Sequence, residues 1–202
     1  MAEKVIGILA SGRGSNLQAI IDNISKGLLK VKIGVVICDK SDAYALQRAE
    51  QVGIPACVIE RGHFSCKEDF EQAISEKLAE HEVQLIVLAG FMRLLGSEFI
   101  KKWHMKIMNI HPSLLPSFPG LHPQQQAIDY GAKVSGCTVH FVDEGMDSGP
   151  IILQKAVPVL DEDDEDTLAQ RILKEEHVLY SQAIGLWAQE KICVDGRATK
   201  VK

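Results

Sequence analysis

Three short stretches hold the side chains best suited to proton and anion chemistry. The first is Asn109-Ile110-His111-Pro112. Residues two apart on a strand share a face, so Asn109 and His111 point the same way if the segment is extended. The amide offers a fixed neutral donor, and imidazole exchanges its proton near neutral pH. Such a pair can hold an oxyanion and give a proton to a departing group. A buried histidine satisfied by backbone is the plainer alternative. The second stretch is Asp143-Glu144-Gly145-Met146-Asp147-Ser148-Gly149-Pro150, a tight loop with glycines on either side of Asp147. If Asp147 faces His111, it favours the charged imidazolium. The alternative is a surface turn, for which Asp-Ser-Gly-Pro is good chemistry. The third stretch is Ser11-Gly12-Arg13-Gly14-Ser15-Asn16. Between a strand and a helix it would present free N–H groups and a partial positive charge to phosphate. Gly12 and Gly14 let the backbone approach an anion, and Arg13, Ser15 and Asn16 add donors. It is not a dinucleotide fingerprint, because Leu17 stands at the third glycine, and no Gly-Lys-Ser/Thr makes it a P-loop. A tight turn with Ser15 as helix N-cap is the alternative.

These stretches need a frame. Val5–Ala10 reads as a buried strand, followed by Leu17, Ile20, Ile21, Ile24 and Leu28 at helical spacing. Then come a strand over Val31–Asp39, a helix over Ala43–Val52, a strand over Ala56–Ile59 and a helix marked by Phe70, Ile74 and Leu78. The apolar run Val83–Phe91 reads as a strand covered on both faces. The alternation predicts an α/β fold, Rossmann-like, with a mostly parallel sheet, helices on both faces and right-handed crossovers. In such sheets ligands bind at the carboxyl edge, where a strand over Lys106–Ile110 would bring Asn109 and His111. A proline-rich loop, a short helix over Gln124–Tyr130 and paired strands over Ser135–Asp143 and Ile151–Val159 follow. The acidic run Asp161–Asp166 reads as a solvated loop before a final helix over about Thr167–Glu190. The chain reads as one domain, 1–202, with halves 1–105 and 106–202 and a ligand cleft between them.

Composition narrows the function. The 202 residues carry 22 Lys plus Arg against 27 Asp plus Glu, a net charge of −5, which argues against a nucleic-acid surface. No apolar stretch nears the roughly 20 residues of a membrane span. The N-terminal run is short for a signal peptide, so the expected location is cytoplasmic. Cys38, Cys57, Cys66, Cys137 and Cys193 form no CxxC pair, so reduced thiols and no metal are expected.

In order along the chain stand Ser11–Asn16, Leu88-Ala89-Gly90-Phe91-Met92-Arg93, NIHPSLLP at 109–116 and GCTVHFVDEGMDSGP at 136–150. From Val5 to about Trp187 the chain resembles the phosphoribosylglycinamide formyltransferase family of purine synthesis. The resemblance implies that the amine of glycinamide ribonucleotide attacks the formyl carbon of 10-formyltetrahydrofolate, the co-substrate. A tetrahedral intermediate then collapses to formylglycinamide ribonucleotide and tetrahydrofolate. It implies that Asn109 and His111 hold the oxyanion, that His111 is the proton donor, and that Asp147 keeps His111 charged and orders a water. It places phosphate at Gly14, Ser15 and Asn16, substrate hydroxyls at Glu176, and folate at Lys67, Met92, Arg93, Leu94, Leu95 and Asn109. The resemblance also implies a phosphate-binding half, 1–105, which lends Lys67 and residues 92–95 to the folate, and a folate-binding and catalytic half, 106–202. The partners implied are these two small molecules, with no nucleic acid or membrane, in a monomer or homodimer. Gln124 stands where relatives often have a second histidine, leaving His122 as a possible helper, and Ser181 stands where proline is common. His63, His81 and His104 read as surface residues, His177 as one that packs or pairs, and His140, on a strand face with Thr138, as a satisfied core histidine, with a place in the cleft as the alternative. The rivals are a formyltetrahydrofolate hydrolase, a sugar-nucleotide formyltransferase, a methionyl-tRNA formyltransferase and, in other classes, a nicotinamide oxidoreductase using Asp39 for a ribose hydroxyl and a non-catalytic nucleotide-binding module, which leaves Asn109, His111 and Asp147 unexplained.

Overall fold

The computed structural model describes residues 3–202. In chain order the elements are β1 (Val5–Ala10), α1 (Ser15–Ser25), β2 (Lys32–Cys38), α2 (Tyr44–Gln51), β3 (Ala56–Val58), α3 (Lys67–Glu80), β4 (Leu85–Leu88), α4 (Ser97–Lys102), β5 (Ile107–His111), α5 (Pro123–Asp129), β6 (Val134–Phe141), β7 (Ile151–Pro158), α6 (Glu165–Ala188), β8 (Ile192–Asp195) and β9 (Ala198–Val201). The first seven strands hydrogen-bond in the order β3-β2-β1-β4-β5-β6-β7, and β8 and β9 form a separate pair. Strands β1, β2, β3 and β4 pair in parallel, and β6 and β7 antiparallel. The chain divides into two compact units, Met1–Met108 and Asn109–Lys202.

In the first unit, Ile6, Ile8 and Leu9 of β1 and Leu85, Ile86 and Val87 of β4 are all fully buried. Side chains of a strand point alternately to its two faces, so continuous burial requires cover on both. The helices supply apolar stripes: Leu17, Ile20 and Ile21 from α1, Ala45 and Ala49 from α2, and Phe70, Ile74 and Leu78 from α3. Helix α1 ends at Ser25, so Leu28 falls outside the stripe and is exposed. The run 83–91 yields only the four strand residues of β4, because the chain turns away at Ala89 to make a loop.

In the second unit, α6 buries Leu168, Ile172, Glu176, Leu179, Tyr180, Ala183 and Ile184, a stripe at three- and four-residue spacing. Both faces of β6 are buried, so its alternation distinguishes two interior faces rather than inside from outside. The acidic run is exposed at Asp161, Glu162, Asp164 and Asp166, as expected of a solvated loop, but not at Asp163. The Asp163 side chain is 4% exposed and makes a two-point pair with Arg171, at 2.5 and 2.7 Å. That guanidinium holds the Asp163 carboxyl well below the usual range. Asp164 caps α6 through a reciprocal exchange with Thr167, which starts the helix at Glu165. Helix α4 and the hairpin β8–β9 carry too few apolar residues to give a periodic signal. The hairpin docks through Thr199 Oγ1, which donates to the Ile151 carbonyl at 2.5 Å. Burial pushes the thiols of Cys38 and Cys137 up to about 12, which leaves them protonated at neutral pH. Among the described residues no helix is long and apolar enough to cross a membrane.

Candidate active site

Strand β5 ends on the pair singled out by spacing. Ile107, Met108 and Ile110 anchor it in the core, and His111 is its last residue. The loop that follows is held by the hydroxyl of Thr138 on β6. Thr138 Oγ1 donates to the Ser113 carbonyl at 2.7 Å and accepts from the Leu115 N–H at 3.0 Å. Gln154 Nε2, from β7, donates to Thr138 Oγ1 and to the Leu115 carbonyl, both at 2.9 Å. The hydroxyl thus uses its one hydrogen and both lone pairs. This brace sets the Phe118 carbonyl 2.9 Å from His111 Nε2, which donates to it.

The other ring nitrogen of His111 faces Asp147. Nδ1 lies 3.4 Å from Asp147 Oδ2, and both side chains are largely buried. Asp147 Oδ2 also accepts from the Gly120 N–H at 2.9 Å. The loop carrying it is folded around Asp143, whose Oδ1 accepts from Ser148 Oγ at 2.6 Å and the Gly145 N–H at 3.1 Å. Arg197 of the C-terminal hairpin donates to the Ser148 carbonyl at 2.7 Å. Asp147 itself has φ 49°, a left-handed backbone. One ring nitrogen thus meets a backbone carbonyl and the other lies within ion-pair distance of a carboxylate. The backbone-satisfied alternative therefore holds for one side of His111 only; the other side meets a carboxylate.

A residue read as a satisfied core histidine completes the group. His140, on β6 and buried, has Nδ1 2.8 Å from the Phe141 carbonyl and Nε2 3.3 Å from Asn109 Nδ2. A carbonyl only accepts, so Nδ1 carries the hydrogen. Burial pushes His140 below its ordinary value, which keeps the ring neutral and leaves Nε2 a lone pair. Asn109 therefore donates one amide hydrogen to His140. Nε2 lies 3.9 Å from Asp147 Oδ1. Alternation placed His140 opposite Cys137 and Val139; the pairing of β5 with β6 turned that face toward Asn109.

In the first unit, Gly14 takes a left-handed φ of 66° and is the N-cap of α1, with no side-chain cap on the first turn. Ser15 is the first helical residue rather than the cap. Helix α2 supports the turn: Ala45 N–H donates to the Gly12 carbonyl, and Arg48 Nε to the Arg13 carbonyl at 2.8 Å. An uncapped first turn and a glycine N-cap suit an anion. Lys67 opens α3 and lies 3.7 Å from Glu71. Arg93 is paired with Asp39, so the acid considered for a ribose hydroxyl is already engaged. Glu176 is buried on α6. His122 is exposed and 2.9 Å from Glu165, away from the Asn109 group.

A model of the formyl transferase family matches residues 4–184. The chain belongs to the formyl transferase family. It is 46% identical over 181 residues to phosphoribosylglycinamide formyltransferase of Bacillus subtilis (strain 168), covering 90% of this chain and 93% of that one. It superposes on glycinamide ribonucleotide transformylase 1 from Symbiobacterium toebii with a TM-score of 0.96 at 46% identity, covering 98% and 94% of the two chains. It is 48% identical over 186 residues to trifunctional purine biosynthetic protein adenosine-3 of Drosophila melanogaster; these make 91% of this chain but only 14% of the length of that relative. The family's extent, 4–184, takes in Asn109, His111, His140 and Asp147 and stops short of the hairpin that carries Arg197.

Proposed function

We propose that this chain transfers the formyl group of 10-formyltetrahydrofolate to the amine of glycinamide ribonucleotide. The observation that carries the reading is the geometry around His111, with a carboxylate on one nitrogen and Asn109 on the same strand face. Formyl transfer to an amine develops negative charge on the formyl oxygen and needs a proton for the departing nitrogen. Asn109 Nδ2 supplies one fixed hydrogen bond to that oxygen, held in register by His140. The Nε2–H of His111 is the second donor; the formyl oxygen competes for it with the Phe118 carbonyl. Asp147 favours the charged form of His111; as the bond from the formyl carbon to the folate nitrogen breaks, His111 gives its proton to that nitrogen and regains one from the attacking amine, which loses a proton on becoming the formamide. The turn at Arg13, Gly14, Ser15 and Asn16 takes the ribonucleotide phosphate, and Glu176 its hydroxyls. Lys67, Met92, Arg93, Leu94 and Leu95 take the folate. The names of the Bacillus and Symbiobacterium proteins support the choice of acceptor.

The test is release of tetrahydrofolate, followed by absorbance, with and without glycinamide ribonucleotide. Release only with the ribonucleotide is expected. Equal release in both would show a hydrolase, and none in either would move the search to other amine acceptors such as sugar nucleotides.

A further inference from the structure

The segment between β4 and α4 is tied at three points by side chains that take no part in the chemistry above. The Met92 N–H donates to Ser11 Oγ at 2.9 Å. The Arg93 guanidinium donates to Asp39, whose side chain is 2% exposed. The Gly96 N–H donates to Glu71 Oε1 at 2.7 Å, and that side chain is 6% exposed. Between the ties, Met92 and Leu94 stand 71% and 69% exposed. Burying two carboxylates is unfavourable unless each is paired, so they are an expensive way to hold an ordinary surface loop. Their partners here are the Arg93 cation and the Gly96 N–H, both within the five residues Met92–Gly96. Glu71 also holds Lys67 Nζ at 3.7 Å, and the Arg93 guanidinium lies over the Phe70 ring at 5.8 Å. Gly96 fits this contact by lacking a side chain: a Cβ there would sit 2.7 Å from Glu71 Oε2.

We propose that Asp39 and Glu71 are positioning residues that fix residues 92–95 in the conformation that receives the folate. The proposal rests on the reading of that strip as a folate contact. A strip held this way presents Met92 and Leu94 already ordered, so binding does not have to restrict them. The acids act through the strip and not on the reacting atoms, so their loss falls on folate binding and not on turnover.

The experiment compares Asp39→Asn, Glu71→Ala, Glu71→Gln and Leu94→Asp in the full chain. KM for each substrate, kcat and the Kd for tetrahydrofolate by tryptophan fluorescence are read alongside thermal melts. Asp39→Asn and Glu71→Ala should raise folate KM and Kd about tenfold, the loss of one charged hydrogen bond, with kcat and ribonucleotide KM held. Glu71→Gln keeps an acceptor for Gly96 and should restore most of the affinity. If the Ala variant does not fold, Gly96→Ala displaces the same carboxylate and should show the same split. Unchanged folate binding in folded Asp39 and Glu71 variants, while Leu94→Asp weakens it, overturns the positioning role and leaves the strip as a folate contact. Unchanged binding in Leu94→Asp removes the strip reading and the proposal with it. A parallel fall in kcat and both affinities indicates general damage and also overturns it.

Discussion

At His111 the two ring nitrogens have different duties. Nε2 donates to a backbone carbonyl that the proposed oxyanion would displace, and Nδ1 faces a carboxylate. His111→Ala should lower turnover by about 10²–10⁴, the range for a lost general acid. Asn109→Ala should lower it by about 10²–10³, as for one lost oxyanion donor. Steady-state rates at saturating substrate measure both, and rates near wild type would remove the assigned roles. Spacing made the Asn109–His111 pair legible, because two residues apart on a strand is a strong geometric statement. Asp147 was legible only as a carboxylate on a tight loop, since no local rule says which side chain such a loop meets. His140 was visible as a residue but not as a partner of Asn109: that needs the pairing of β5 with β6. Asp39 entered only through the rival oxidoreductase reading, since an acid at the end of a second strand fits a ribose and a nearby arginine equally well.

Among the elements, the β5–α5 loop depends on β6 and β7 more than on its own residues. Thr138 alone satisfies the Leu115 N–H and the Ser113 carbonyl. Thr138→Val has the same shape and none of these bonds. It should cost about 1–3 kcal/mol of stability, the penalty of buried groups left unpaired. Chemical denaturation reads that loss. Turnover should fall further than stability alone explains, because the loop places the Phe118 carbonyl at His111. The strands of the first unit were readable because burial on both faces leaves unbroken apolar runs. Helix α4 and the hairpin β8–β9 were not, being short and half-exposed. The start of α6 was missed by two residues because Asp164 and Thr167 exchange hydrogen bonds inside an acidic run that reads as solvent-facing.

Over the whole molecule, alternation of strands and helices specified a mostly parallel sheet without any single residue being decisive. Its stability carries a titration signature. In the unfolded chain His140 takes up a proton near its ordinary value of 6.5, whereas in the folded chain burial pushes that uptake lower. Between the two values the unfolded state binds more protons, so stability falls as pH drops below about 6.5 and through the folded value. His140→Gln has no proton to take up and should flatten this part of the profile. Denaturation midpoints between neutral and mildly acid pH measure it; an unchanged slope would mean that another group dominates the acid limb. Turnover in the same variant should drop, since Asn109 loses its fixed acceptor.

The left-handed backbone at Asp147 sets durability against activity. Asparagine enters that region more readily than most residues and keeps an oxygen for the Gly120 N–H. Asp147→Asn should therefore melt no lower than wild type while turning over more slowly, because it no longer carries the charge facing His111. A library of this chain selected by heat alone would drift toward asparagine or glycine at 147 and lose the enzyme while improving the protein. Selection for robustness has to be run with the reaction in view.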